Sequence, residues 1–441
     1  MTAGITSTCS RGRLPVRYCL NVDVRARLKL SPAQSRLFLW AGVLASTAAF
    51  ARMVRSDWLL AQSFNVGVAG DISVYQGALQ NWRDGGALYE WENGAGFGFT
   101  YPPFAAIVMT PVTWLDPERL GDIWTVLDLL FAGVLVALIF RASQLAWGRV
   151  GTLAAYLAAV AMFLGSSQFQ SEIINGQVNV VLALLIVLDL GASVPERWRG
   201  VLTGVAAAIK LTPLVAIAWL VLTRQWRSAA LASFSFIGLG ALAWLVYPDV
   251  SKEFWTRAVL DTGRVGRPDL PANASVFGVL SRAGLEGLPR TVLWLTLGTA
   301  LVLAAFYRAE QARRRGDHIS AAILVMCAAV LASPISWPHH QIWLPLAGIA
   351  LILHRGWRVK LSGAVVLVFC VLHIPLSRAF DQAGPFTGAL DSIDFMMFAM
   401  ICVLGLGSRD IDRDGPATRE DGIRTGGVRR RDPHRLQLEG P

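Results

Sequence analysis

Charge is what this sequence has least of. Only 16% of its 441 residues are Asp, Glu, Lys or Arg, against about 25% in soluble domains, which excludes an ordinary soluble protein. Lysine is scarcest: Lys29, Lys210, Lys252 and Lys360 stand against thirty-six arginines, a bias typical of a GC-rich genome. The five cysteines (Cys9, Cys19, Cys327, Cys370, Cys402) sit in the N-terminal tail or inside apolar blocks, so no disulfide framework is expected. There is no Walker loop, dinucleotide fingerprint, HExxH or CxxC pair. No stretch is suited to the soluble α/β domain that a nucleotide-sugar donor would need. The first apolar run starts near Leu37 with no small-residue cleavage site close behind, and reads as a retained span.

What is abundant is hydrocarbon, at 54% of residues. It recurs in blocks of about 16–23 residues, close to the ~20 that cross a bilayer as helix. Backbone polar groups cannot go unsatisfied in lipid, so such blocks predict an all-α polytopic helix bundle of about 10–12 transmembrane segments and not a barrel. Three regions follow: a basic cytoplasmic tail over 1–36, a membrane domain over 37–407, and a flexible cytoplasmic tail over 408–441 that mixes eight arginines with seven acids. Candidate spans fall near 37–54, 103–115, 120–140, 150–166, 177–193, 200–222, 228–247, 288–307, 319–332, 341–354, 361–379 and 391–407. The net charge of +10 sits mainly in the first tail and in short loops, as the positive-inside rule expects of cytoplasmic segments. Arginine-rich 308–318 and 355–360 are the clearest of these, which puts loops 55–102, 248–287, 333–340 and 380–390 outside. The connections near Arg141/Arg149, Arg197/Arg199 and Arg224/Arg227 join them only if 103–115, short and holding Pro111, and 200–222, broken by Lys210 and Pro213, are both re-entrant. In that case, the favoured one, 167–176 faces outside; with twelve full spans it faces inside.

Chemistry is then sought where polar groups meet the outer edge. Asp71 and Tyr75, four apart, share a helix face, and a carboxylate there is a candidate general base or an ordinary loop acid. Tyr89 and Tyr101-Pro102-Pro103 suit either interfacial anchoring or sugar stacking. Asn175-Gly176-Gln177-Val178-Asn179 opens an apolar block, as a cap or as polar groups lining a site. Lys210, beside Leu211-Thr212-Pro213, breaks a helix inside an apolar block, which suits a lipid phosphate unless the side chain merely snorkels. Ser333-Pro334-Ile335-Ser336-Trp337-Pro338-His339-His340 joins two apolar blocks. Adjacent histidines share no helix face, so a metal pair on one helix is not expected, while a cationic imidazole could hold phosphate. Asn273-Ala274-Ser275 and Arg282 on the second outer loop are candidates for sugar and phosphate contacts.

This ordered set resembles the polyprenol-phosphate-mannose-dependent mannosyltransferases of actinobacteria, over about residues 55–345. Ala274 stands where that pattern has glutamine. The resemblance implies a GT-C fold, a polyprenyl-phosphate-mannose donor and a mannosylated phosphatidylinositol or lipoglycan acceptor. It also implies inversion to an α-linkage, α-1,2 favoured, and an active site on the outer face of the inner (plasma) membrane. Asp71 would be the base, and Lys210, His339, His340 and Arg282 would carry the departing phosphate. Tyr75, Tyr101, Asn175, Gln177 and Asn273 would line the donor site. No cofactor and no metal are expected. An arabinofuranosyltransferase using a pentose donor is the alternative, since one relative is such an enzyme. A lipid-linked sugar transporter would show inverted repeats, and a non-catalytic scaffold would not need Asp71.

Overall fold

The computed structural model describes residues 70–143, 148–354, 356–380 and 392–407, together with Leu44. The tails 1–36 and 408–441 and, apart from Leu44, the expected span 37–54 lie outside the described residues. Among the described residues there are sixteen α-helices and no β-strand, with one isolated bridge between Glu92 and Gly98. The expected all-α bundle is the architecture.

The chain shuttles between two ends of this bundle. α1 (Gly70–Arg83) and α2 (Pro103–Met109, prolonged by a 3-10 turn over Thr110–Trp114) stay at one end. Gln76 of α1 donates to the carbonyls of Val112 at 3.0 Å and Leu115 at 2.7 Å, so the chain is back beside α1 when that turn runs out. α3 (Pro117–Ala142) then runs to the opposite end. It starts where it does because Asp116 accepts the Arg119 N–H at 3.0 Å and Pro117 has no N–H to leave unpaired. α4 (Gly148–Leu164) returns, and α5 (Ser167–Asn175) turns away from it by 61°. α6 (Asn179–Leu190) descends again, and α7 (Val201–Ile209) climbs back.

The next step bears on the re-entrant reading favoured for 200–222. α8 (Leu214–Leu222) is followed by α9 (Trp226–Val246). A Cβ on Gly200 would lie 2.1 Å from the Ser228 carbonyl oxygen, and one on Gly204 would lie 2.2 Å from that of Ala232. Advancing along α7 therefore advances along α9, so the two helices run parallel. α8 must bring the chain back down, and 200–222 is a hairpin folded at Lys210–Pro213 rather than one crossing. The small residues at Gly200 and Gly204 are what let the two backbones approach so closely.

The remaining elements complete the circuit. α10 (Pro248–Glu253) and α11 (Val276–Arg282) belong to the 248–287 loop, the second of those expected outside. α12 (Gly287–Arg314) descends, and α13 (His318–Ala332) rises through the centre with every residue from Ile319 to Leu331 buried. α14 (Trp343–Ile352), α15 (Trp357–Phe380) and α16 (Ile393–Leu404) close the bundle around it. Among the described residues, three helices are long and apolar enough to cross a bilayer alone: Arg119–Ala142 within α3, α9 and α12, with the bent α4–α5 pair as a fourth. Exposed Leu130, Phe234, Leu245 and Leu288 on these helices form the outward apolar surface that hydrocarbon would cover. α15 adds exposed Leu361, Val365 and Val368 to that surface, while α6, α13 and α14 are shorter helices packed among their neighbours.

With both hairpins re-entrant, Arg141, Arg149, Arg197, Arg199, Arg224, Arg227 and Arg308 to Arg315 gather at one end. α13, about 22 Å long at 1.5 Å per residue, separates that basic end from Ser333. Helix α5 then lies with the 70–102, 248–287 and 333–340 loops at the other end, as the re-entrant option requires.

Candidate active site

A cavity of about 1610 Å³ opens at the end away from the arginines. Its walls come from α1, the start of α3, α5, the Lys210 break, the second outer loop and the turn after α13.

α1 forms because Ile72, Tyr75 and Leu79, at i, i+3 and i+7, bury one stripe. That places Asp71 in the first turn on the side of Tyr75, as the spacing predicted. Gln177 donates its side-chain N–H to Oδ2 of Asp71. Its Oε1 accepts from Tyr101 Oη at 2.8 Å, and Tyr101 Oη lies 2.9 Å from Tyr75 Oη. Trp124 of α3 donates to the Gln177 carbonyl at 2.9 Å, so backbone and side chain of Gln177 are both held. Tyr89 donates to the Tyr101 carbonyl at 2.9 Å and so supports the same loop. Burial pushes the Asp71 carboxyl above its ordinary range; the Gln177 bond and the Lys210 charge oppose this without cancelling it. One carboxylate thus faces the cavity with one oxygen held and its proton affinity raised.

The carboxamide cluster is differently built than its spacing predicted. Asn175 ends α5, and Gly176 at φ 60° is the left-handed cap that closes it, a conformation glycine adopts without strain. Asn179 begins the next helix. Asn175 donates to the Ser171 carbonyl at 2.7 Å and reaches the cavity wall.

Lys210 ends α7 in an extended conformation because Pro213 cannot continue the ladder. Its Nζ donates to Asn179 Oδ1 at 2.8 Å and lies 5.2 Å from the Tyr101 ring centroid. Asn179 Nδ2 in turn donates to Glu172 Oε2 at 2.8 Å, while Glu172 Oε1 accepts the Val180 N–H at 2.9 Å. Glu172 is fully buried and, like Asp128 of α3, was missed from the sequence. An acid inside an apolar helix is the signal that marks Asp128. Glu172 escaped because 167–176 read as a loop.

His339 and His340 form a 3-10 turn against α5, their rings 4.5 Å apart edge to face. Both border the cavity. The surroundings disfavour a cationic imidazole at either position. Burial, reinforced by the Lys210 charge, pulls both imidazoles well below their ordinary range. The Trp337 N–H also donates to His340 Nδ1 at 3.1 Å, which leaves no proton on that nitrogen. His339 Nδ1 lies 3.5 Å from Ser171 Oγ, which ties the turn to α5.

Arg282 and Asn273 do not border the cavity. Arg282 donates to the carbonyls of Leu270 and Asn273, both at 3.0 Å, and so braces its own loop. Asn273 is fully buried and joins the second outer loop to the histidine turn. Its Oδ1 accepts from Ser336 N at 2.9 Å and Ser275 N at 3.2 Å, while its Nδ2 donates to the Pro268 and Pro334 carbonyls. The cavity's outer cations are instead Arg264 and Arg267. Arg264 donates to the carbonyls of Tyr89 at 3.0 Å and Phe99 at 2.9 Å, and so couples the two outer loops. Asn273→Ala strands two buried N–H groups, at about 1–3 kcal/mol each. It is expected to lower the thermal midpoint in detergent.

Among the described residues, no three His, Cys, Asp or Glu side chains are grouped to hold a metal ion. The sequence profile described as glycosyltransferase family 87 matches residues 99–334, which carry Tyr101, Gln177, Lys210 and the approach to the histidine turn. The chain belongs to glycosyltransferase family 87. Among curated relatives, a polyprenol-phosphate-mannose-dependent alpha-(1-2)-phosphatidylinositol mannoside mannosyltransferase of Mycolicibacterium smegmatis is 32% identical over 390 residues, 80% of this chain and 87% of the relative. Its Mycobacterium tuberculosis counterpart is also 32% identical, over 67% of this chain and 75% of its own length. An alpha-(1-2)-phosphatidylinositol pentamannoside mannosyltransferase of M. smegmatis, dependent on the same donor, is 30% identical over 80% and 85%. No solved structure matches. The family match begins after Asp71 and ends before His339, so those side chains meet Tyr101, Gln177 and Lys210 on the cavity wall by geometry alone.

Proposed function

We propose that this chain transfers mannose from polyprenyl-phosphate-mannose to a hydroxyl of a phosphatidylinositol mannoside, forming an α-(1→2) bond on the outer face of the plasma membrane. The observation that carries this reading is a carboxylate and an ammonium lining one large cavity. Asp71 and Lys210 flank the Tyr101–Gln177 pair, close enough for the Lys210 charge to be felt at Asp71. The cavity exceeds the roughly 300–1,000 Å³ of a small-ligand pocket, which leaves room for a lipid-linked sugar and a glycolipid together. Asp122, Thr125, Val126 and Leu129, on one face of α3, extend its wall along the apolar surface, giving the isoprenoid chain a way out into lipid. The outer-face assignment rests on the arginine-rich opposite end.

In the reaction, Asp71 takes the proton of the acceptor hydroxyl as its oxygen attacks the anomeric carbon from the face opposite the phosphate. The carbon–oxygen bond to phosphate breaks, and its electron pair leaves with polyprenyl phosphate. A β-linked donor then yields an α-mannoside. The leaving group gains a charge and needs electrostatic stabilisation more than a proton. Lys210 supplies that charge, and neutral His339 supplies a polar edge. Asn175 lines the sugar side, and Tyr101 and Tyr75 hold Gln177 against Asp71.

Radiolabelled mannose transfer from polyprenyl-phosphate-mannose to phosphatidylinositol mannosides, by the purified chain, tests this reading. Product with a new α-(1→2) linkage is expected. No transfer by folded protein, or transfer only from a polyprenyl-phosphate pentose, overturns it. Tyr101→Phe removes the hydroxyl that holds Gln177 and is expected to lower kcat by about tenfold with the donor KM little changed; an unchanged kcat would remove Tyr101 from the positioning chain.

A further inference from the structure

Among the described residues, Lys210 makes no direct ion pair with a carboxylate; its side-chain partner is Asn179. The nearest acid in its hydrogen-bond chain, Glu172, reaches it only through the amide of Asn179. The order ammonium, amide, carboxylate is held at both ends. Glu172 uses one oxygen for Val180 N–H at the start of α6 and the other for Asn179 Nδ2. Because Glu172 only accepts, Asn179 must turn its NH₂ towards it and its carbonyl oxygen towards Lys210.

We propose that Glu172, acting through Asn179, is the positioning residue of Lys210, aiming the ammonium into the cavity while sparing it a direct ion pair. This rests on the reading of Lys210 as the group that holds the donor phosphate. A lysine paired with a carboxylate would meet a phosphate with its charge already cancelled. A lysine with no acceptor in this apolar wall would be free to swing away or give up its proton. The intervening amide avoids both outcomes: it accepts one N–H of the ammonium and leaves two for the ligand. The acid behind it balances the charge from one residue further away. Asp128 of α3 is also buried and within electrostatic reach of Glu172.

A glutamine at position 172 cannot preserve this order. Its single carbonyl oxygen can satisfy Val180 N–H or Asn179 Nδ2, and its own NH₂ then opposes the other. If the conflict falls on Asn179, that amide flips and presents NH₂ to the ammonium. The sharper variant exchanges the two groups, as Glu172→Gln with Asn179→Asp. Every hydrogen bond is then satisfied. The amide now at position 172 accepts from Val180 N–H and donates to the carboxylate now at position 179, which in turn accepts from Lys210. Net charge and side-chain shape are kept. What changes is that a carboxylate now sits directly on the ammonium.

The full-length protein in detergent is assayed for donor KM, kcat and inhibition by the product polyprenyl phosphate, alongside its thermal midpoint. The exchanged variant is expected to keep the wild-type midpoint, while the donor KM and the polyprenyl phosphate inhibition constant rise about tenfold. Glu172→Gln alone is expected to show the same rise with a lower midpoint. In a Lys210→Gln background the exchange should change neither constant by more than about twofold, because its effect passes through the lysine. Wild-type constants in the exchanged variant, or a full tenfold rise that persists without Lys210, overturn the proposal. An unchanged inhibition constant for polyprenyl phosphate in Lys210→Gln itself would instead sink the phosphate reading of Lys210. If the exchanged protein does not fold, Glu172→Gln with and without Lys210→Gln decides by the same constants.

Discussion

Asp71→Asn is expected to lower kcat for mannose transfer by about a hundred- to ten-thousandfold, the range that a positioned general base contributes. The substitution is close to isosteric, and the asparagine oxygen can still accept the Gln177 N–H that meets Asp71 Oδ2. Loss of activity should therefore come with an unchanged thermal midpoint and a donor KM within a few fold of wild type. The pH profile gives a second readout. A base works only when deprotonated, and burial raises the Asp71 carboxyl above its ordinary range. As pH falls, kcat should decline on an acid limb lying above that of a solvent-exposed carboxylate, with activity present above the limb and lost below it. Gln177→Leu removes a bond that favours the charged form, so it should move that limb further up. Equal rates for wild type and Asp71→Asn would end the assignment while leaving the donor untouched.

Lys210→Gln is expected to reduce kcat/KM for the donor by about a hundred- to a thousandfold, the loss found when one preorganised donor to a developing oxyanion is removed. The effect should divide between a higher KM, because the ground-state phosphodiester already carries charge, and a lower kcat, because the leaving phosphate gains more. Lys210→Arg should restore only part of it. The bulkier guanidinium must fit between Asn179 and the Tyr101 ring, where the ammonium makes a 2.8 Å bond to one and lies 5.2 Å from the centroid of the other. Initial rates over a range of polyprenyl-phosphate-mannose concentrations separate the two parts. A KM and kcat both unchanged in Lys210→Gln would move the phosphate elsewhere, with Arg264 and Arg267 the next cations on the cavity wall.

Much of the site was legible because its cues are local. Four-residue spacing put Asp71 and Tyr75 on one helical face whatever packed against them. Lys210 and Pro213 announced a broken helix because each is costly where it stands. The histidine pair stood out as the polar joint between two apolar blocks. The errors fell where roles depend on distant partners. Arg282 and Asn273 looked like ligand contacts because they were polar residues on an outer loop; folding turned them to brace Leu270, Pro268 and Pro334. Arg264, on the same loop, reached the cavity, and nothing in its neighbours distinguishes it from Arg282. The burial that lowers the proton affinity of both histidines likewise comes from distant helices.

Composition and hydropathy alone were enough to establish an all-helical membrane bundle and to mark which of its connections are basic. Both follow from the cost of placing each residue in hydrocarbon or water, a cost that sums along the chain without reference to its neighbours in space. Packing decided that 200–222 folds back instead of crossing, because that turns on two glycines letting α7 lie parallel against α9. It also brought Gln177 to Asp71, 106 residues away, and set Glu172 behind Asn179 and Lys210. Such contacts depend on the direction and separation of whole helices, which no stretch of sequence specifies alone.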